Sequence, residues 1–124
     1  HMSQKILIVE DDQSLYKALT ERFEREGNSV LGAKNGEEGL SIALEEKPVL
    51  ILLDIIMPKK DGISMLADLR KDEWGKNVPV IMLSNLSDTE KMAEAAEKDI
   101  SEYLVKSDWK IEDVVDKVKE KIGE

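Results

Sequence analysis

Ile6-Leu7-Ile8-Val9-Glu10-Asp11-Asp12 sets the reading of the whole chain: four apolar residues run directly into three carboxylates. The pattern recurs. Val49-Leu50-Ile51-Leu52-Leu53 ends at Asp54, Val80-Ile81-Met82-Leu83 at Ser84, and Tyr103-Leu104-Val105 at Lys106. The remaining run, Val30-Leu31-Gly32-Ala33, ends without a reactive group. Runs this short, rich in Val, Ile and Leu and apolar on both faces, read as central parallel strands covered by helices. In an open parallel sheet, ligands bind outside the carboxyl ends of the strands. If the runs are parallel neighbours, three carboxylates, a hydroxyl and an ammonium share one rim. Such a cluster calls for a divalent cation to hold it together and an anion to occupy it, which suits phosphoryl chemistry.

Helical patterns fill the spaces between the runs. Leu15, Ala18, Leu19, Arg22 and Phe23 recur at helical spacing from Gln13 to Glu26, and Gly27 stands where a helix ends. Asn35-Gly36-Glu37-Glu38 has capping-box spacing and opens a helix to about Glu45, before Pro48. Ile63 to Lys71 and Ser87 to about Lys98 form two more, and Ile111, Val114, Val115, Val118 and Ile122 stripe the last. Ser107 or Asp108 is expected to cap that last helix. The order is strand then helix, five times over. Right-handed crossovers cover both faces of such a sheet only if the winding reverses once. The expected fold is α/β, a flavodoxin-like three-layer sandwich whose five parallel strands lie in the order 2-1-3-4-5. Glu10, Asp11 and Asp54 then meet at the crevice where the order reverses.

Composition narrows the function. The chain has 124 residues, enough for one domain with a real core. His1-Met2 reads as a cloning remnant, leaving residues 3–124 as a single domain. His1 is the sole histidine, so no internal residue is a histidine base, ligand or phosphohistidine. There is no cysteine, hence neither a disulfide nor a thiolate metal site. A net charge of −9 repels a phosphate backbone and argues against direct nucleic-acid binding. No run is long enough to span a membrane, and no secretory signal is visible. The cytoplasm is the expected compartment.

Four segments together resemble the receiver domain of two-component response regulators. These are Ile6 to Asp12, Leu53-Asp54-Ile55-Ile56-Met57-Pro58-Lys59-Lys60-Asp61-Gly62, Ile81-Met82-Leu83-Ser84, and Tyr103-Leu104-Val105-Lys106. They stand in the right order and spacing, within a match from about Lys5 to Ile122. The resemblance implies that Asp54 accepts a phosphoryl group. Asp11 would ligate Mg²⁺ directly, Glu10 would act mainly through metal-bound water, and the Ile56 backbone carbonyl would complete the protein's share of the shell. Lys106 and Ser84 would contact the phosphoryl oxygens, while Tyr103 would be the aromatic switch that turns inward on activation. A sensor histidine kinase or phosphotransfer protein would be the donor. A downstream protein or output domain would read the signal from the face formed by the fourth helix, fifth strand and fifth helix. Phosphorylation-dependent homodimers are compatible with this scheme. The protein would be a signalling switch and not an enzyme, though it assists its own phosphorylation and dephosphorylation.

Blander readings compete at single positions. Asp12 reads as a helix cap, Asp61-Gly62 as a helix entry, and Trp74 and Trp109 as partial packing. The chain also departs from the family pattern. Ser107 follows Lys106 where proline is usual, and a trans bond is expected because a cis bond there costs about 2.5–4 kcal/mol. Asn85 stands where small residues are usual and narrows access to Asp54, and Asp99-Ile100 replaces the common Gly-Ala before the last strand. Ile56 and Leu86 are apolar beside the route of attacking water, which favours a long-lived phosphoryl state. Other metal-dependent folds fit less well. A Toprim-like nuclease needs a second aspartate near Asp54, a haloacid-dehalogenase-like phosphatase needs Asp-x-Asp after the first strand, and a flavin carrier would not place carboxylates against its phosphate. The alternative within the same fold is a degenerate receiver acting as a phosphorylation-independent interaction module. Whether the chain is a stand-alone regulator or a domain cut from a longer protein stays open.

Overall fold

Five parallel strands carry this fold. The computed structural model describes residues 4–55, 57, 59–84, 102–105 and 110–123, with only the backbone of Ser84 and of 102–105. The element order is β1 (Lys5–Val9), α1 (Gln13–Arg25), β2 (Ser29–Ala33), α2 (Gly36–Glu46), β3 (Leu50–Asp54), α3 (Gly62–Arg70), β4 (Val80–Ser84), β5 (Glu102–Val105) and α4 (Ile111–Ile122). The helix expected at 87–98 lies outside the described residues. Strand order is β2-β1-β3-β4-β5, as the alternating pattern predicts. Pairing is parallel throughout, with Val9 opposite both Ala33 and Leu53, and Asp54 opposite Leu83. All strand carboxyl ends therefore open on one rim.

Side chains alternate across a strand, so each central strand supplies two cores. Leu7, Val9, Ile51, Leu53, Val80 and Met82 face one side, against Ala43 of α2 and Ile63, Met65, Leu66 and Leu69 of α3. Ile6, Ile8, Leu50, Leu52, Ile81 and Leu83 face the other, against Leu19 and Phe23 of α1 and Val114, Val115 and Val118 of α4. The unbroken apolar runs are thus explained by helices on both faces. Burying each such side chain contributes about 1.5–3 kcal/mol before ordering costs. Of the strands whose side chains are described, β2 is the exception. At the sheet edge, its Val30, Leu31 and Gly32 are only partly buried.

Local signals place the helices. Asp12 Oδ1 accepts from the backbone N–H of Ser14 (3.0 Å) and Leu15 (3.2 Å). Asn35 Oδ1 accepts from Glu38 N (2.9 Å), and Asp61 Oδ1 from Ser64 N (2.8 Å). The last helix corrects the expectation of a Ser107 or Asp108 cap. It begins at Ile111 with Lys110 at the cap position, and Asp113 Oδ2 accepts from the Lys110 backbone N–H at 2.8 Å. A lysine side chain has no acceptor, so only half of a capping box is formed.

Candidate acidic site at the sheet's carboxyl rim

Glu10 and Asp11 leave β1 at the point where α1 begins, which accounts for their placement. The Glu10 backbone N–H donates to Ala33 O at 3.0 Å, extending the sheet by one residue. Its Oε2 accepts from Asp12 N at 3.2 Å, so the side chain folds back over the first turn of α1. Asp12 is occupied in capping α1, as its position suggested. Glu10 and Asp11 are left for the rim, beside a helix N-terminus whose dipole favours negative charge.

Asp54 is the last residue of β3, next to β1 in the sheet. One carboxylate oxygen from each of Glu10, Asp11 and Asp54 lies within 4.8 Å of the others. Glu10 is fully buried and Asp54 is 4% exposed, whereas Asp11 is open to solvent. Like charges this close repel one another, more so away from water. Hard oxygen donors at this spacing suit a small divalent cation, with Asp11 on the solvent side. The donor set therefore fits Mg²⁺.

The backbone around Asp54 is held by the start of α3. Gly62 N donates to Ile55 O at 2.8 Å, and a Cβ on Gly62 would lie 2.1 Å from Asp54 O. Only glycine allows this approach. The Asp-Gly pair is a helix entry, as expected, but its closeness to Asp54 is a tertiary fact that turn chemistry does not signal. The loop leading to it also holds Lys60, whose ammonium pairs with Asp68 and keeps that carboxyl below the usual carboxylate range.

Of the other predicted site residues, Ser84 ends β4 beside β3, and Tyr103 lies in β5 beside β4, each placed by its backbone. Lys106 and Ile56 lie outside the described residues, as do Asn85, Leu86, Asp99, Ile100, Ser107 and Trp109. Trp74 is partly buried against the core beside α3, the packing role read from the sequence. Among the described residues, no helix is long and apolar enough to cross a membrane.

Comparison with known proteins agrees with this geometry. The receiver domain of the Pseudomonas aeruginosa PAO1 sensor histidine kinase PA1611 superposes with a TM-score of 0.85 at 25% identity, covering 99% of this chain and all of that one. That structure is described with a magnesium ion coordinated in its active site cleft. A Francisella response regulator receiver domain superposes with a TM-score of 0.87 at 31% identity, covering 98% of each chain. A probable transcriptional regulator, ycf27, of Porphyridium aerugineum is 40% identical over 103 residues, covering 83% of this chain and 42% of the relative. The chain spans about two-fifths of the length of such curated relatives. The response regulator receiver domain model matches residues 6–119, and on that match over an acidic rim of the right design, the chain belongs to the receiver family of two-component systems, whose domains act as signalling switches.

Proposed function

We propose that residues 3–124 form one receiver domain that takes a phosphoryl group onto Asp54 in a Mg²⁺-assisted transfer. The observation that carries this reading is the meeting of Glu10, Asp11 and Asp54 within 4.8 Å at the end of β3. A carboxylate oxygen of Asp54 attacks phosphorus while the donor's bond to phosphorus breaks, and the donor leaves with that electron pair. For a histidine donor, from a sensor kinase or phosphotransfer protein, the bond broken is P–N. Mg²⁺ bound by these carboxylates would supply charge neutralisation as an anionic donor approaches. Glu10, buried and tied to the first turn of α1, fixes the inner side of the site. Asp11, exposed, can exchange water for a ligand.

By the family resemblance, Lys106 and Ser84 hold the phosphoryl oxygens, the Ile56 carbonyl completes the ligand set, and Tyr103 follows Ser84 inward. The new acyl phosphate adds nearly two negative charges, which shifts a two-state equilibrium toward the form with better oxygen contacts. The signal leaves through the face of 87–98, β5 and α4, to a downstream protein or output domain in the cytoplasm. The test is a mass measurement after incubation with Mg²⁺ and a phosphohistidine kinase or small acyl phosphate. One phosphoryl adduct is expected on the protein and none on Asp54→Asn. No adduct with a competent donor would replace this reading with that of a phosphorylation-independent interaction module. Slow loss of the adduct, over minutes or longer, is also expected.

A further inference from the structure

The start of α2 lies against the loop that follows Asp54. Gly36 N donates to Lys60 O at 2.8 Å, and a Cβ on Gly36 would fall 2.2 Å from that same oxygen. A side chain at 36 would thus push directly on a backbone carbonyl, which cannot rotate away as a flexible side chain would. Two residues after Lys60, Gly62 rests on Asp54 O and bonds to Ile55 O. Asp61 between them caps α3, and the Lys60 side chain pairs with Asp68 about two helical turns further on. Lys60, Asp61 and Gly62 therefore join three things in three residues: the first turn of α2, the first turn of α3, and the backbone of Asp54.

The geometry points to Gly36 as a positioning residue for the acidic site. By admitting the Lys60 carbonyl at the first turn of α2, it sets where Asp54 stands relative to Glu10 and Asp11, and with it the affinity for a divalent cation. The inference rests on reading that cluster as a Mg²⁺ site. Gly36 touches neither the ion nor the donor; it acts through Lys60–Gly62. Removing a group that bonds directly to a metal ligand typically changes affinity by about 10–100-fold, so the more remote Gly36 belongs at the lower end of that range. Coupling is also reciprocal, so Mg²⁺ must tighten the Gly36–Lys60 contact by the factor that the contact tightens Mg²⁺.

Gly75 provides a matched control. A Cβ there would lie 2.2 Å from Leu69 O, the same kind of clash, but near the amino end of β4, across the molecule from the carboxylates. Mg²⁺ titration calorimetry and thermal melting are measured for the native protein, Gly36→Ala and Gly75→Ala. Gly36→Ala is expected to weaken Mg²⁺ by about tenfold. Gly75→Ala is expected to lower Tm yet stay within about twofold of native affinity. On the native protein, saturating Mg²⁺ is expected to slow hydrogen exchange at the Gly36 amide and not at Gly75, which decides the matter even if Gly36→Ala fails to fold. Unchanged affinity in folded Gly36→Ala, equal losses in both variants, or a Gly36 amide indifferent to Mg²⁺ would overturn the inference. A native protein showing no Mg²⁺ heat and no Mg²⁺-dependent change in Tm would instead overturn the metal-site reading beneath it.

Discussion

The two ends of the sheet treat charge in opposite ways. At the amino end, charges are solvated and paired across elements. Lys5 of β1 meets Glu46 of α2 at 3.2 Å, with both side chains at least 39% exposed. Glu26, just past α1, is bonded by Lys119 of α4 and, at 3.4 Å, by Arg22. Prolines and Trp74 line an open cleft of about 450 Å³ between the starts of β3 and β4. At the carboxyl end, three carboxylates gather among the described residues, and Glu10 and Asp54 are buried. Folding stability accounts for the first arrangement and is opposed by the second, since burying like charges costs free energy. The second is what a cation-dependent site requires.

The apolar layer between the two ends sets the scale for testing this contrast. Leu52, fully buried against the α1 and α4 face, should lose about 2–5 kcal/mol on change to Ala, read by urea denaturation. The carboxyl end should respond to ions instead. Mg²⁺ at about a hundredfold excess over its Kd should stabilise the native protein by about 2.7 kcal/mol and should leave Asp54→Asn nearly unmoved. An equal Mg²⁺ response in both would break the contrast.

The amino end should give smaller effects. Lys5→Ala should cost about 0.2–1 kcal/mol, declining with added salt, as an exposed pair does. Glu26 should register most clearly in the pH profile. The Lys119 ammonium bonded to it, aided by Arg22, holds its carboxyl below the usual range. A carboxylate lowered on folding stabilises above its unfolded pKa, about 4.3, and loses that contribution as pH falls through the folded value. Glu26→Gln should therefore lower stability slightly at neutral pH, a difference that shrinks as pH falls below about 4.3 and leaves a flatter acid limb. A steeper acid limb would contradict the pairing.

Much of this was legible because the signals are local and periodic. Val49 to Leu53 is apolar at every position, which only a strand covered on both faces uses, and Asp12, Asn35 and Asp61 each cap a helix within three residues of themselves. The winding rule then brought Asp54 beside Glu10 and Asp11. The start of α4 lies later than expected: hydroxyl and carboxylate residues at 107 and 108 are good caps in isolation, whereas the helix begins at Ile111, where Asp113 reaches back to the Lys110 backbone N–H.

By itself, then, the amino-acid order determined the element types, their succession, the strand order and the candidates at the rim, since hydrophobic period and chain handedness act over short stretches. Tertiary structure alone decided that Gly36 meets Lys60, that Gly62 lies on Asp54, and that Lys119 finds Glu26. Those contacts join residues far apart in the chain, or depend on a missing Cβ, and their distances arise only once two packed layers fix where each backbone runs.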